Sequence, residues 1–368
     1  MSFNMIVPEL PSYLKDLGGG EHIGWIIGLF TLAALISRPY SGRLTDTVGR
    51  IPVMLIGAIV CFFLGFLYVL LPFVVGFLTL RFFHGFSTGF KPTATSAYIA
   101  DITPSNRKGE AVGYLSISGS LGMSSGPAIG SFLTNAYGIN SMFYASSIAA
   151  LCSVAVLIGM RETLENKKAF KWSLLKLKKE DLFENRVLHI CMVMLGLFFP
   201  YGVTLTIIPD AHTDFGLTNK GLFMATLTIS SLVTRLIGGR FSDNYGRAPV
   251  LMFAAALSTT SMLITGYATT ATIFLLGGVF LGFASGLISP AITAWVLELA
   301  IKDKIGRALA SMYMALELAI GMGAVLSGMF FAQYNWEFKT VLWACALLPF
   351  YSLLYLISLK LIKHPSYR

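Results

Sequence analysis

Eleven stretches of about 20 predominantly apolar residues, separated by short polar turns, fill most of this chain. They run near 22–43, 51–73, 75–100, 110–134, 140–160, 188–208, 217–240, 249–269, 271–299, 306–332 and 338–362. A hydrocarbon core of about 30 Å needs a helix of about this length. The runs are too long for membrane strands and do not alternate. Backbone polar groups in lipid must be satisfied within their own segment, so each run is expected to be a helix. Of the 368 residues, 55% are hydrophobic and 12% charged. Soluble domains carry about 25% charged residues, so a water-soluble fold is excluded.

Charge placement sets the orientation. The net charge is +9, from 27 basic and 18 acidic residues. Basic residues cluster at Arg43 and Arg50, at Arg107 and Lys108, through 161–187, at Arg240 and Arg247, at Lys302, Lys304 and Arg307, and at Lys360, Lys363 and Arg368. Basic-poor turns near 73, 136, 270 and 335 alternate with them. This places the basic loops and the C-terminus on the cytoplasmic side. It also argues against a nucleic-acid partner, which would need the charge gathered into one patch. Cys61, Cys152, Cys191 and Cys345 all fall inside apolar runs without CxxC spacing. They read as small core residues, not as disulfides or metal ligands.

The chain repeats itself. RPYSGRLTDTVGRIPV at 38–53 aligns with RLIGGRFSDNYGRAPV at 235–250, and every matched pair differs by 197. The same offset pairs Gly85 with Gly282, Gly89 with Gly286, Asp101 with Glu298, Gly109 with Gly306 and Gly126 with Gly323. One register over several spans means a tandem duplication of a multi-helix unit. Val7-Pro8-Glu9 resembles Ile208-Pro209-Asp210, yet only seven residues precede Pro8, so the first helix reads as cut short. The expected organisation is an N-terminal helical bundle over 1–160, a cytoplasmic linker over 161–187 and a C-terminal bundle over 188–368. In the linker, Phe170, Trp172, Leu174, Leu175 and Leu177 interleave with lysines. Either a helix on the inner membrane surface or a solvated connection fits that pattern.

The duplicated turns carry chemistry. Glycine is needed where helix ends approach closely or where φ turns positive, which covers Gly42, Gly49, Gly239 and Gly246. Asp46 and Asp243 can each accept hydrogen bonds from a neighbouring helix N-terminus. Arg50 can pair with Asp101, and Arg247 with the matched Glu298. With Arg107, these residues form a candidate conformational latch that holds one state and breaks in another. Arg38 and Arg235, near helix ends, read as snorkelling anchors.

These motifs resemble the major facilitator superfamily. The GxxxDxxGR turn looks like that family's signature loop, and Leu80–Gly85 resembles its fourth-helix motif. The run Gly113–Gly130, GYLSISGSLGMSSGPAIG, is similar to the fifth-helix motif of the drug:proton antiporter branch. Thr47 and Asn244 depart from the family's basic residue after the Asp. His84 departs from a frequent Gln, and Ser131 from a common Gly. The resemblance implies an all-α membrane fold of two pseudo-symmetric six-helix bundles. It also implies proton-coupled efflux of a small organic compound or drug by alternating access.

Two residue sets remain. Gly122, Gly126 and Gly130 share a helix face with small-xxx-small spacing, Gly113 lies further back, and Pro127 kinks or stiffens the helix. Arg81, His84 and Lys91 share a face of the span 75–100 and are expected to line an aqueous cavity. Glu317, within 306–332, is the leading protonatable carboxylate, and Glu9 and His84 are further candidates. No GxxxxGK[ST] or HExxH pattern occurs, and GxSxG occurs only inside apolar runs, at Gly85–Gly89 and Gly122–Gly126, which points away from an ATP-driven pump or an enzyme. The expected partners are a small-molecule substrate and the bilayer of a bacterial inner membrane, with a proton gradient in place of a cofactor and a monomeric chain. A nutrient importer or uniporter on the same fold, and a non-transporting membrane receptor, are the alternatives.

Overall fold

The computed structural model describes residues 2–208, 210–217, 222–332 and 337–361. Pro209, the turn near 335, Lys363 and Arg368 lie outside the described residues. The helices are α1 (Ser2–Ile6), α2 (Leu10–Asp16), α3 (Ile23–Thr47), α4 (Arg50–Leu70), α5 (Val74–Ile102), α6 (Lys108–Tyr137), α7 (Ile139–Ile158), α8 (Lys179–Leu182), α9 (Leu188–Thr206), α10 (Leu222–Tyr245), α11 (Arg247–Gly266), α12 (Ala271–Leu299), α13 (Ile305–Ala332) and α14 (Phe338–Leu361). No strand occurs among the described residues. The long helices α3–α7 and α9–α14 fall on the apolar runs of the sequence. Among the described residues, seven stretches are long and apolar enough to cross a membrane by length and composition alone: α4, α7, α11, α12, α14, α9 with the turn before it, and most of α13 with the turn before it.

Glycine and proline punctuate these helices. Gly49 and Gly246 precede α4 and α11 with φ of 137° and 88°, backbone that an L side chain rarely adopts. Pro39, Pro92, Pro127, Pro200, Pro290 and Pro349 lie inside helices. Each removes a backbone donor, a loss that packed membrane helices tolerate.

The chain divides into two compact units. The first comprises 1–102, 118–184 and 301–311; the second comprises 103–117, 185–300 and 312–368. Thus α6 contributes its first turns to the second unit, and α13 its first turns to the first. In the first unit α3 packs on α5, α4 on α5, and α4 on α7. In the second unit α10 packs on α12, α11 on α12, and α11 on α14, the same neighbours displaced by one repeat.

The first unit has one apolar cluster around Leu10, Tyr68, Phe77 and Phe143, and another around Leu44, Ile51, Met54 and Leu157. The second is centred on Val203, Phe223, Met262 and Leu342. Phe63, Phe83, Ile148 and Val156 are exposed, a distribution that suits lipid as the solvent.

Matched glycines sit at close helix approaches. A Cβ on Gly85 of α5 would lie 2.8 Å from the Cβ of Ala33 on α3. A Cβ on Gly282 of α12 would lie 2.7 Å from the Cβ of Ser230 on α10, the same place one repeat later. Gly85→Val and Gly282→Val should each cost about 1–3 kcal/mol through overpacking. A Cβ on Gly119 would meet nothing within 4 Å. Melting temperatures in detergent should therefore fall for Gly85→Val and Gly282→Val and stay near wild type for Gly119→Val.

Candidate functional site

The first polar array lies at helix starts. The carboxylate of Asp46, in the last turn of α3, accepts hydrogen bonds from the backbone N–H groups of Gly306 (2.6 Å) and Arg307 (2.9 Å). These belong to the first turn of α13, where N–H groups lack helical partners. Asp243, in the last turn of α10, accepts from Gly109 (3.0 Å) and Glu110 (2.9 Å) in the first turn of α6. The two caps are superimposable by the 197-residue offset, donors included. Each is worth about 1 kcal/mol of helix stability.

An arginine steadies each cap. Arg50, 2% exposed, donates to Asp101 (3.0 Å) and to the carbonyl of Thr45, and lies 3.5 Å from Asp46. Arg247 donates to Glu298 (2.6 Å) and Ser242 (2.8 Å) and lies 2.6 Å from Asp243. Glycines give clearance: a Cβ on Gly42 would come within 2.7 Å of the Ala310 Cβ and 2.9 Å of the Gly306 carbonyl oxygen. At Gly49 a Cβ would strike the carboxylate of Glu162. Gly239 lies within α10, two turns before its end.

Arg107 sits elsewhere. It is well exposed and pairs with Glu110 at 2.7 Å, not with Asp46 or Arg50. The Glu110 carboxylate also accepts from Arg240 at 2.8 Å.

Here the two repeats part company. Glu110 corresponds to Arg307, and Arg240 to Arg43. Where one repeat has an acid–base pair, the other has two arginines. The linker supplies the missing acids: Asp181 accepts from Arg43 at 2.8 Å, and Glu184 pairs with Arg307 at 2.9 Å. Glu162, just after α7, accepts from the N–H groups of Arg50 (2.9 Å) and Ile51 (3.0 Å) and caps α4. The sequence reading missed Glu162, Asp181 and Glu184. Only the charge mismatch between positions 110 and 307 could have signalled the last two.

The second polar array is on α5. Arg81, 2% exposed, donates to the carbonyl of Ile26 (3.2 Å) and lies 4.8 Å from the centre of the Phe30 ring. His84 is fully buried, its ring nitrogens 3.3 Å from Cys61 Sγ and 3.4 Å from the Tyr68 hydroxyl. Lys91 donates to Ser153 of α7 at 2.6 Å. It lines a cavity of about 310 Å³ with Ser2, Cys61, Ser87 and Ser153. Of the three residues expected to share an aqueous face, Lys91 lines this cavity, whereas Arg81 and His84 are buried against Phe3, Phe30 and Tyr68. Arg38 is corrected too. It is 1% exposed and donates inward to the Gly89 carbonyl and Thr93, both at 3.3 Å, so it does not snorkel.

The remaining candidates are dispersed. The carboxylate of Glu9 accepts a hydrogen bond from Ser131, the residue that stands in place of a glycine in the α6 motif. In that motif Gly113, Gly126 and Gly130 are buried, and Gly122 and Pro127 partly so. A Cβ on Gly130 would collide with the Met5 backbone, so this glycine admits α1. Glu317 is half-buried on α13, in the second unit.

A family model described as Major Facilitator Superfamily matches residues 1–234 and again 190–367. Multidrug resistance protein 2 of Bacillus subtilis is 28% identical over 320 residues, covering 82% of this chain and 78% of that protein. Multidrug resistance protein 1 of the same organism is 24% identical over 353 residues, covering 93% and 90%. Among solved structures, the human organic anion transporter MFSD10 superimposes with a TM-score of 0.79 at 18% identity, covering 96% of this chain and 95% of that one.

Two outcomes follow from the caps. In Asp46→Ala, amide exchange at Gly306 and Arg307 should accelerate about fivefold, equivalent to losing about 1 kcal/mol. Gly109 and Glu110 should stay protected there and respond instead to Asp243→Ala. The linker acids give a rescue test. Asp181→Asn with Glu184→Gln should destabilise the protein by about 3 kcal/mol by leaving Arg43 beside Arg307. Adding Arg307→Glu, which copies the Glu110–Arg240 arrangement, should restore much of the lost melting temperature.

Proposed function

We propose that this chain, which belongs to the Major Facilitator Superfamily, is a proton-driven exporter of small organic compounds. As a member of that family it is a multi-pass membrane transporter and not an enzyme. The observation that carries the reading is the set of basic groups buried on α5. Charge inside a membrane-spanning helix is expensive and persists where transport uses it. The two Bacillus relatives are named for multidrug resistance, which supports efflux as the direction.

In this reading the cavity beside Lys91 offers substrate its donors, and Glu317 carries the coupled proton. The residues 1–160 and 188–368 are the two moving halves. The Asp46 and Asp243 caps, with Arg50, Asp101, Arg247 and Glu298, are the latch. Each cap breaks when its helix start moves and reforms on return, at a cost of the order of 1 kcal/mol. That is small enough for a gradient to overcome. The chain works as a monomer in a bacterial inner membrane with its C-terminus in the cytoplasm.

Transport in proteoliposomes tests this. With an imposed proton gradient, the wild type should move a fluorescent lipophilic cation against its own gradient. Glu317→Gln and Arg81→Ala should lower the coupled rate by about tenfold or more while inserting normally. Uptake of substrate along with protons would replace export with import. No flux under any gradient would sink the transport reading of these residues.

A further inference from the structure

The segment joining α7 to α9 sorts its charges by side. Three of its acids turn inward: Glu162 caps α4, Asp181 pairs with Arg43 and Glu184 with Arg307, while the exposed Glu165 pairs with Lys302 (3.1 Å). Lys167, Lys168, Lys171 and Lys176 are all exposed, and none of them makes an ion pair among the described residues. The apolar residues sort as well. Leu174 and Leu175 pack onto the cluster around Leu44, Ile51 and Leu157. Phe170 and Trp172 point away, 48% and 79% exposed, their rings packed edge to face at 5.6 Å. The backbone here is not the continuous surface helix the sequence allows. It is a single 3-10 turn, Trp172–Leu175, with extended residues on both sides. That turn is what sends Trp172 outward and the two leucines inward.

The segment is also held at a fixed depth. Its Lys168 N–H donates to the carbonyl of Thr47 at the end of α3 (2.7 Å), and its Lys176 carbonyl accepts from Arg43 (2.6 Å). It begins a few residues beyond the end of α7. The ends of spanning helices mark the headgroup level of a bilayer. An exposed Phe–Trp pair is unfavourable in water and favourable at that level, where aromatic rings collect.

We propose that residues 167–176 bind anionic phospholipid, with Phe170 and Trp172 in the interface and the four lysines on the headgroup phosphates. The occupant is a membrane lipid and not an RNA or an acidic peptide, because the tethers keep the strip at bilayer depth and its outermost groups are aromatic. The proposal is independent of what the protein transports.

The full chain reconstituted in phosphatidylcholine vesicles with a minor fraction of phosphatidylglycerol provides the test. Emission from Trp172, isolated by subtracting Trp172→Phe, is quenched with a spin label placed near the headgroup of either lipid. At low salt the labelled phosphatidylglycerol should associate several-fold more strongly than labelled phosphatidylcholine. The preference should collapse at high salt. It should fall to near parity in the variant with Lys167, Lys168, Lys171 and Lys176 changed to Gln, since a basic residue near the surface is worth up to about fivefold. The salt arm uses unmutated protein, so it does not depend on the variant folding. Equal quenching by both lipids, or Trp172 emission reached by a water-soluble quencher and by neither labelled lipid, would overturn the proposal.

Discussion

A helix that starts at the edge of a membrane leaves N–H groups with no helical partner, in a place where water is scarce. The two aspartate caps answer that constraint, and much of the surrounding sequence follows from them. For Asp46 to reach Gly306 and Arg307, α3 must end against the first turn of α13, which Gly42 permits by having no side chain. Its carboxylate is only 7% exposed, and the Arg50 guanidinium lies 3.5 Å away. Arg50 in turn is fixed by Asp101 and by the sharp reversal at Gly49. Spacing in the GxxxDxxGR turn is thus the spacing of a clearance, a cap, a reversal and a counter-charge. Its second copy repeats the reversal, cap and counter-charge at Gly246, Asp243 and Arg247.

This logic was legible in the sequence because it is local and duplicated. The offset of 197 identified Asp46, Arg50 and Asp101 together with their partners in the second repeat, before any coordinates. Helix positions were legible for a similar reason, since the length of an apolar run is itself a structural dimension in lipid. The linker acids were not legible. Asp181 and Glu184 lie far in sequence from Arg43 and Arg307, and nothing periodic connects them. The burial of Arg38 was misread because position near a helix end suggests snorkelling, whereas α5 packs close enough at Gly89 to enclose it.

The α5 polar residues show a different limit. Helical spacing put Arg81, His84 and Lys91 on one face, but it could not say what covers each turn of that face. Phe3, Phe30 and Tyr68 come from three separate helices and close over the first two. A guanidinium resting on an aromatic ring retains part of its stabilisation without water. Lys91 lies two turns further on, against the smaller Gly57 and Ser153, and there the packing leaves room for a cavity. Side-chain size on the neighbouring helices, more than the charge pattern on α5, decides which of the three can meet a solute.

Duplication also explains why the linker is more than a spacer. Two copies of one unit begin with equal partners, and any charge reversal in one copy leaves the other's partner unmatched. Glu110 and Arg307 are such a reversal, and two arginines close together at low dielectric are costly unless an acid intervenes. The linker is the one segment with no counterpart in the repeat, so it could supply Asp181 and Glu184 without disturbing either copy. Once those acids and Glu162 pin it against the helix ends, its conformation is fixed. The lysines between them then have little choice of side. Repairing a broken pair within the first unit thereby places a basic, aromatic strip on its outer surface.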